Sequence, residues 1–329
     1  MARGSNRITL VHVAEAAGVS LSTASHAFGV DKPISEATRA RVLAAAAELG
    51  YEGPDPRARS LRSGRTDIIG VQVDDEAGRA FRDPVIIGIL DGVSAALAAS
   101  PTSVLLVPDS VPEERLRTLP VDGIVAAGCS PTLTQLRAAM AKRSIPVVTA
   151  GNQVDDIGSV GVENRAATRL LTDHLQGLGH RTVGVIRLRH GDVERARTEA
   201  ALAAFPGAEV AASADSTIDE GFRAADALLR RGAPTAIVAQ SDLLAVGAVR
   251  AAEARGLRVP EDLSIVGFDG IRVDGFARDL TTIRQPIVEM GRLAAQAVLA
   301  AQDGAPLPTL AMPVDLVVGD TTGPASQRA

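Results

Sequence analysis

The 329-residue chain has no tryptophan, one tyrosine and six phenylalanines, so aromatics make up only 2% of it. A hydrophobic fraction of 46% still supplies a large core, which must be aliphatic and alanine-rich. A single cysteine, Cys129, excludes an internal disulfide framework and fits a reducing compartment. Apolar runs such as Val104–Val107 are far shorter than the ~20 residues needed to span a bilayer. The opening stretch MARGSNRITLVHVAEAAG lacks an apolar secretory segment, so a cytoplasmic location is expected. Positive charge is not in excess either: the net charge of −5 argues against a generic polyanion binder. That average hides an asymmetry. Residues 1–65 carry nine Lys/Arg against six Asp/Glu, and the remainder carries 25 against 33. A small basic head on an acidic body points to nucleic acid at one end.

Three short helices are expected in residues 8–50. Thr9 caps the first, which Gly18 ends; the second spans roughly Ser20–Phe28; Ser35 caps a third that stops at Gly50. Their small core would draw on Val13, Ala17, Val19, Ala24, Val42, Leu43 and Leu49. The stretch YEGPDPRARSLRSGRT, residues 51–66, holds two prolines, two glycines and four arginines and reads as a linker. Within it, RARSLRS is long enough for only one or two helical turns, too few to be stable alone. From Asp67 the pattern changes to apolar strands such as DIIGVQV, DGIVAAG, TVGVIRL, TAIVAQS and LSIVGFD, alternating with Ala/Leu-rich helices. This implies parallel sheets covered by helices on both faces, in two successive lobes with a break near residues 152–165. The tail GDTTGPASQRA has no heptads, so no tetramerising coiled coil is expected.

The stretch GVSLSTASHAFG, residues 18–29, is a helix of small hydroxyl side chains that suit neither a core nor a strongly solvated surface. Placed after LVHVAEAAG, with small residues Ala14 and Gly18 where two helices cross, it has the pattern of a helix-turn-helix. Its second helix then lies in a DNA major groove, where small hydroxyls permit close approach and phosphate contact. Leu21, Ser22 and His26 would face bases; Ser20, Thr23 and Ser25 would anchor phosphates or cap the helix.

The segments ITLVHVAEAAGVSLSTAS, PISEATRARVLAAAAELGY, RARSLRSGRTDIIGV, VDGIVAAG, VGVENRAATRLLTDHLQGLGHR, SDLLAVGAVRAAEARGLRVPEDLSIVGFD and LTTIRQP run nearly end to end. On them the chain resembles the LacI/GalR family of bacterial transcription regulators. The resemblance implies an α/β protein with a small all-α helix-turn-helix head over 1–50, a hinge helix in 51–66, and a two-lobe, doubly wound parallel-sheet core of periplasmic-binding-protein type over 67–329. The first lobe would comprise about 67–160 plus 287–310, and the second about 161–286 plus the C-terminal segment. It implies a homodimer on a pseudo-palindromic operator, more in the manner of a repressor than an activator. In such complexes the hinge folds on DNA and a leucine wedges into the minor groove; that carries over to Leu61, with Ala58 beside it. A small effector (a sugar, sugar phosphate or other metabolite) would bind between the lobes. Matching positions for it are Arg195, Arg197, Asp242, Asp269 and Gln285, at the ends of strands and helices facing the cleft. Chain crossings near 160 and 286 would couple cleft closure to the hinges.

Several positions depart from the family pattern. Val85 and Ile86 stand where relatives place aromatics that stack on the effector, and Ser216 lies near another such place. RLRHGD, residues 187–192, adds cations, which together with the missing aromatics predicts an anionic effector. His12 replaces an acid near the first helix's start, so support from the helix dipole is expected to be lost there. PEERLRTLP leaves one helix of the first lobe truncated. No catalytic or metal-binding motif is readable, no cofactor or membrane partner is expected, and Asp74, Asp75 and Glu76 read as a solvated loop rather than a cation site. His174 and His180 read as helix caps. The rival readings are a doubly wound enzyme, which would need a nucleophile–base pair; a free solute-binding protein, which would lack the head; and a regulator whose degenerate cleft has lost effector control.

If His26 reads a base edge, His26→Ala relaxes preference at one base pair per half-site by about 1–3 kcal/mol. Selection from a randomised operator library measures this; an unchanged preference removes His26 from the readout.

Overall fold

The computed structural model describes residues 8–28, 34–53, 64–73, 81–128, 132–151, 157–188 and 191–326. The chain divides into two units, Met1–Asp67 and Ile68–Ala329.

In the first unit, α1 (Leu10–Ala16), α2 (Leu21–Ala27) and α3 (Glu36–Leu49) enclose a core of Val13, Ala14, Ala17, Ala24, Ala27, Val42, Ala45 and Ala46. Gly18 and Gly50 adopt the left-handed conformation, with φ +63° and +67°, that ends α1 and α3. Ser20 and Ser35 cap α2 and α3 by accepting from the backbone N–H groups of Thr23 and Thr38. His12 does not leave the start of α1 unsupported: its Nδ1 accepts from the Thr9 N–H at 3.1 Å, as an acid would in a capping box. Leu43 is a correction to the expected core. It lies one residue, about 100°, past the buried Val42 on α3, and is 43% exposed. Two arginines of α3 complete the unit. Arg39 Nη1 donates to the Ala27 carbonyl at 2.6 Å and Arg41 Nε to the Ala17 carbonyl at 3.1 Å. These carbonyls lie at the C-terminal ends of α2 and α1, where acceptors lack helical partners and positive charge is favoured. Phe28 and Tyr51 meet edge to face, their centroids 5.6 Å apart. Ala58 and Leu61, and with them most of the expected hinge, lie outside the described residues.

The second unit begins with β1 (Ile68–Val73), α4 (Pro84–Leu97), β2 (Ser103–Pro108), α5 (Glu113–Leu116), β3 (Gly123–Ala127), α6 (Leu133–Ala141), β4 (Val147–Gly151) and β5 (Gly158–Val162). The truncated helix is a single turn, α5, anchored by buried Leu116. There follow α7 (Asn164–Gly177), β6 (Val183–Leu188), α8 (Asp192–Ala204), β7 (Glu209–Ser213), α9 (Ile218–Arg231), β8 (Ala236–Ala239), α10 (Asp242–Ala254), β9 (Ser264–Val266) and β10 (Thr282–Arg284). The chain ends through α11 (Ile287–Gln302), β11 (Thr309–Met312) and β12 (Asp315–Val317).

Two parallel sheets result. One has strand order β11-β5-β4-β3-β1-β2, the other β7-β6-β8-β9. The second is extended by bridges from Val266 to Thr281 and from Asp269 to Arg284, and β10 pairs antiparallel with β12. The chain therefore passes between lobes three times: after β5, between β10 and α11, and between β11 and β12. Strands β1, β3, β4, β5, β6, β8 and β9 are near-continuously apolar and mostly buried on both faces, as parallel sheets require, while the outer strands β2, β7 and β11 are partly exposed. Gly319–Ser326 is pinned along the second lobe. His180 donates from Nε2 to the Gly323 carbonyl at 3.1 Å, and His174 bonds Thr322 at 2.9 Å. Both histidines hold this tail rather than cap a helix, and burial lowers the pKa of each.

The first lobe closes where α4 and α11 touch backbone to backbone. A Cβ on Gly92 would stand 1.9 Å from the Val288 carbonyl oxygen and 2.6 Å from the Arg292 nitrogen. Gly92→Ala must force these helices apart, at about 1–3 kcal/mol. Urea unfolding of the variant should show that loss; an unchanged midpoint would mean that the helix pair is free to slide.

Candidate functional site

Arg195 and Arg197 are two residues apart on α8, so they point to opposite faces. Arg197 is the inward one, its side chain 10% exposed; Arg195 is 65% exposed and pairs with Asp192 at 2.7 Å. Arg195 also approaches Glu199 at 3.9 Å. The two expected arginines are thus not brought together.

The Arg197 guanidinium is held on every side. Its Nε donates to Asn164 Oδ1 at 2.8 Å and its Nη1 to the Gln240 carbonyl at 2.8 Å. Nη1 lies 3.8 Å from Asp269 Oδ1, and Cζ sits 3.5 Å from the Phe268 ring centroid. Gln240 carries its share through its side chain too. It accepts from the Leu188 N–H, and donates to the Glu194 carbonyl and to Thr198 Oγ1, tying the end of β6 to α8.

Asp269 follows β9 and is buried. Its φ of +116° is one that L side chains rarely adopt, a strain of about 1–3 kcal/mol. Hydrogen bonds hold it there: Asp269 N to Ile283 O, Gln285 N to Asp269 O, and Gln285 Nε2 to Asp269 Oδ1 at 2.8 Å. Burial pushes the Asp269 carboxyl well above the usual range; Arg197 opposes this, and the nearby Asp242 and Asp83 carboxylates reinforce it.

Asp242, the first residue of α10, has no exposed surface. Its Oδ2 accepts from the Ile271 N–H at 2.8 Å and its Oδ1 from the Thr282 hydroxyl at 2.5 Å. It pins the loop after β9, and Ile271 of that loop packs against the first lobe's core. Burial raises the Asp242 pKa to about 7, against the pull of Thr282, the Ile271 and Gly270 N–H groups and Arg197. Ser216 bonds Ser241 at 2.7 Å, just ahead of Asp242.

From the first lobe, Asp83 caps α4 by accepting from the Val85 N–H at 2.9 Å. Ile86 behind it is buried in that lobe's core. Arg197, Asp269 and Gln285 therefore form one cluster between the lobes, with Asp242 beneath it. Asn164, Gln240, Phe268 and Asp83 belong to it and were not singled out from the sequence. A partial signal existed: Asn164 lies in VENRAA and Phe268 in GFDG. The described residues add little to the expectation of an anionic effector. Arg197 already donates to Asn164 and Gln240 and lies beside Asp269, Arg195 faces away, and Arg187 donates to the Leu188 carbonyl; Arg189 and His190 lie outside the described residues.

In the head, Leu21 is 50% exposed and Ser22 exposed, whereas Thr23, Ser25 and His26 are half-buried. Ser20 and Thr23 hydroxyls also bond one another at 2.8 Å.

Residues 9–53 match the description "bacterial regulatory proteins, lacI family", and residues 172–322 match a periplasmic binding protein-like domain. An HTH-type transcriptional regulator of Mycolicibacterium smegmatis is 30% identical over 361 residues, covering 97% of each chain. The chain belongs to the LacI family. It is a DNA-binding transcriptional regulator, with a helix-turn-helix head and a parallel-sheet core. Its LacI-family fold is also seen in a lac repressor dimer bound to operator and an anti-inducer, 27% identical with a TM-score of 0.81, covering 97% of this chain and 100% of that one. A CelR–cellobiose complex is 28% identical with a TM-score of 0.69, covering 96% of this chain and 100% of that one. No helix among the described residues is long and apolar enough to cross a membrane.

A carboxyl whose pKa is raised on folding stabilises the fold below its unfolded pKa, and that stability is lost as pH climbs through the folded value. For Asp242 the window runs from 3.8 to about 7. Unfolding free energy of the protein is expected to fall across it, with Asp269 contributing in the same direction. Asp242→Asn should make the slope shallower in urea titrations at stepped pH; a slope equal to the parent's would clear Asp242 as its source.

Proposed function

We propose that the protein is a cytoplasmic, homodimeric repressor of a pseudo-palindromic operator, controlled by a small molecule bound between the core lobes. In this reading residues 1–50 read the major groove, 51–66 form the hinge, and 67–329 form the effector and dimerisation core. The observation that carries it is the buried Arg197–Asp269–Gln285 cluster at the lobe junction, in a chain whose head has the helix-turn-helix form. Leu21, Ser22 and His26 read bases, and Ser25 contacts phosphate. Ser20 and Thr23 set the helix start, which their mutual hydrogen bond favours. Leu61 wedges into the minor groove, with Ala58 packing beside it. The repressor sign is supported by the lac repressor likeness, not by a residue of this chain.

Within the core, effector contact falls to Arg197, Asp269 and Gln285. Asp242 shapes the floor from below. Arg195 belongs to the outer face of α8. Carboxylates and amides in this cluster accept from hydroxyl or N–H donors, so the proposed effector is a neutral, hydroxyl-bearing molecule rather than an anion. The CelR–cellobiose complex is consistent with that chemistry.

Fluorescence anisotropy on DNA from upstream of the protein's own gene is expected to show tight, sequence-preferring binding with a steep salt dependence. Equal affinity for scrambled DNA, with and without metabolite pools, would overturn the operator reading. Calorimetry with paired neutral and phosphorylated sugars is expected to favour the neutral member of a pair. Preference for the phosphorylated one returns the anionic reading, and heat from neither across a broad panel supports a cleft without small-molecule control.

A further inference from the structure

Two of the three passages between lobes are tied to one ion pair. Asn164 is the first residue of α7, where the chain leaves β5 for the second lobe. Gln285 precedes Pro286 and α11, where it returns. Asn164 Oδ1 accepts from Arg197 Nε at 2.8 Å, and Gln285 Nε2 donates to Asp269 Oδ1 at 2.8 Å. Arg197 and Asp269 lie 3.8 Å apart, and all four side chains are buried. Asn164 and Gln285 hang on short tethers, so their amides cannot follow the ion pair unless the backbone does. The strained Asp269 is also bonded through its main chain to both Ile283 and Gln285. The third passage has a different character: Val314 packs against the apolar clusters of both lobes, a contact without directional bonds.

We infer that Asn164 and Gln285 are positioning residues which make the angle between the lobes and the geometry of the Arg197–Asp269 pair a single variable. Domain closure concentrates backbone rotation in a few residues at the ends of elements, and these are such residues. Rotation at either passage pulls on the pair, and displacement of the pair turns both passages together. Any ligand that engages Arg197 or Asp269 therefore acts on both hinges at once. The coupling itself stands without the effector reading, because it is defined by contacts within the core.

Spin labels on the exposed Ala138 of α6 and Ala203 of α8 report the distance between lobes in the full-length protein. The labels are attached through Ala138→Cys and Ala203→Cys in a Cys129→Ser background. Dilution with unlabelled chains keeps each measured pair within one subunit. Asn164→Ala and Gln285→Ala are each expected to broaden the distance distribution by several ångströms. The double variant is expected to be no broader than the wider single one, because both act through the same pair. Asn164→Asp keeps an acceptor for Arg197 and should restore the narrow distribution. Gln285→Met keeps the side chain's length but loses the donor, and serves in place of an alanine variant that does not fold. Unchanged distributions with a lowered melting temperature would make the two residues simple structural supports and overturn the inference. Additive broadening would overturn it as well, by showing two independent hinges.

Discussion

The core depends on the burial of one guanidinium. Arg197 cannot be left unpaired away from water, so its surroundings must bring acceptors to it from three chain segments: Asn164 at the start of α7, Gln240 after β8 and Asp269 after β9, whose carboxyl in turn accepts from the Gln285 amide. Phe268 supplies the ring face beneath it. This one demand sets the ends of β8 and β9, explains why Asp269 tolerates a left-handed backbone, and draws both inter-lobe passages to one point. It also explains the chemistry available to a ligand: a floor rich in acceptors, with its cation already engaged.

The head rests on the same physical rule at lower intensity. Three helices of seven, seven and fourteen residues are too short to persist alone, and their common core is mostly alanine. What compensates is the placement of polar groups at helix ends. Ser20, Ser35 and His12 serve the N-termini, and Arg39 and Arg41 serve two C-termini from a third helix. The last two contacts bind non-adjacent parts of the sequence, tying α3 to the C-terminal ends of α1 and α2.

Fold class and the order of elements were legible because alternating apolar strands and amphipathic helices are local signals. The helix-turn-helix was legible for the same reason, through caps and Gly18. Side-chain direction was not. Arg195 and Arg197 look equivalent in VERAR, and only the phase of α8 against its sheet separates a buried ligand from a surface ion pair. Leu43 failed as a core residue through a similar error of phase. Asp83 and Asn164 were not singled out, since Asp269 and Arg197, the charged groups they serve, stand more than thirty residues further along the chain. His174 and His180 read as caps because the tail that they hold returns from nearly 150 positions later.

The interleaving of the lobes fixes when each part can be completed. Among the described residues, the head's core draws on none beyond Tyr51. The first lobe is different. Its helix α11 and its edge strand β11 emerge only after the whole body of the second lobe. During synthesis its sheet therefore waits with one edge unpaired and the glycine surface of α4 uncovered, while the second lobe assembles behind it. A nascent chain of this kind presents a folded DNA-reading head well before it owns a finished core.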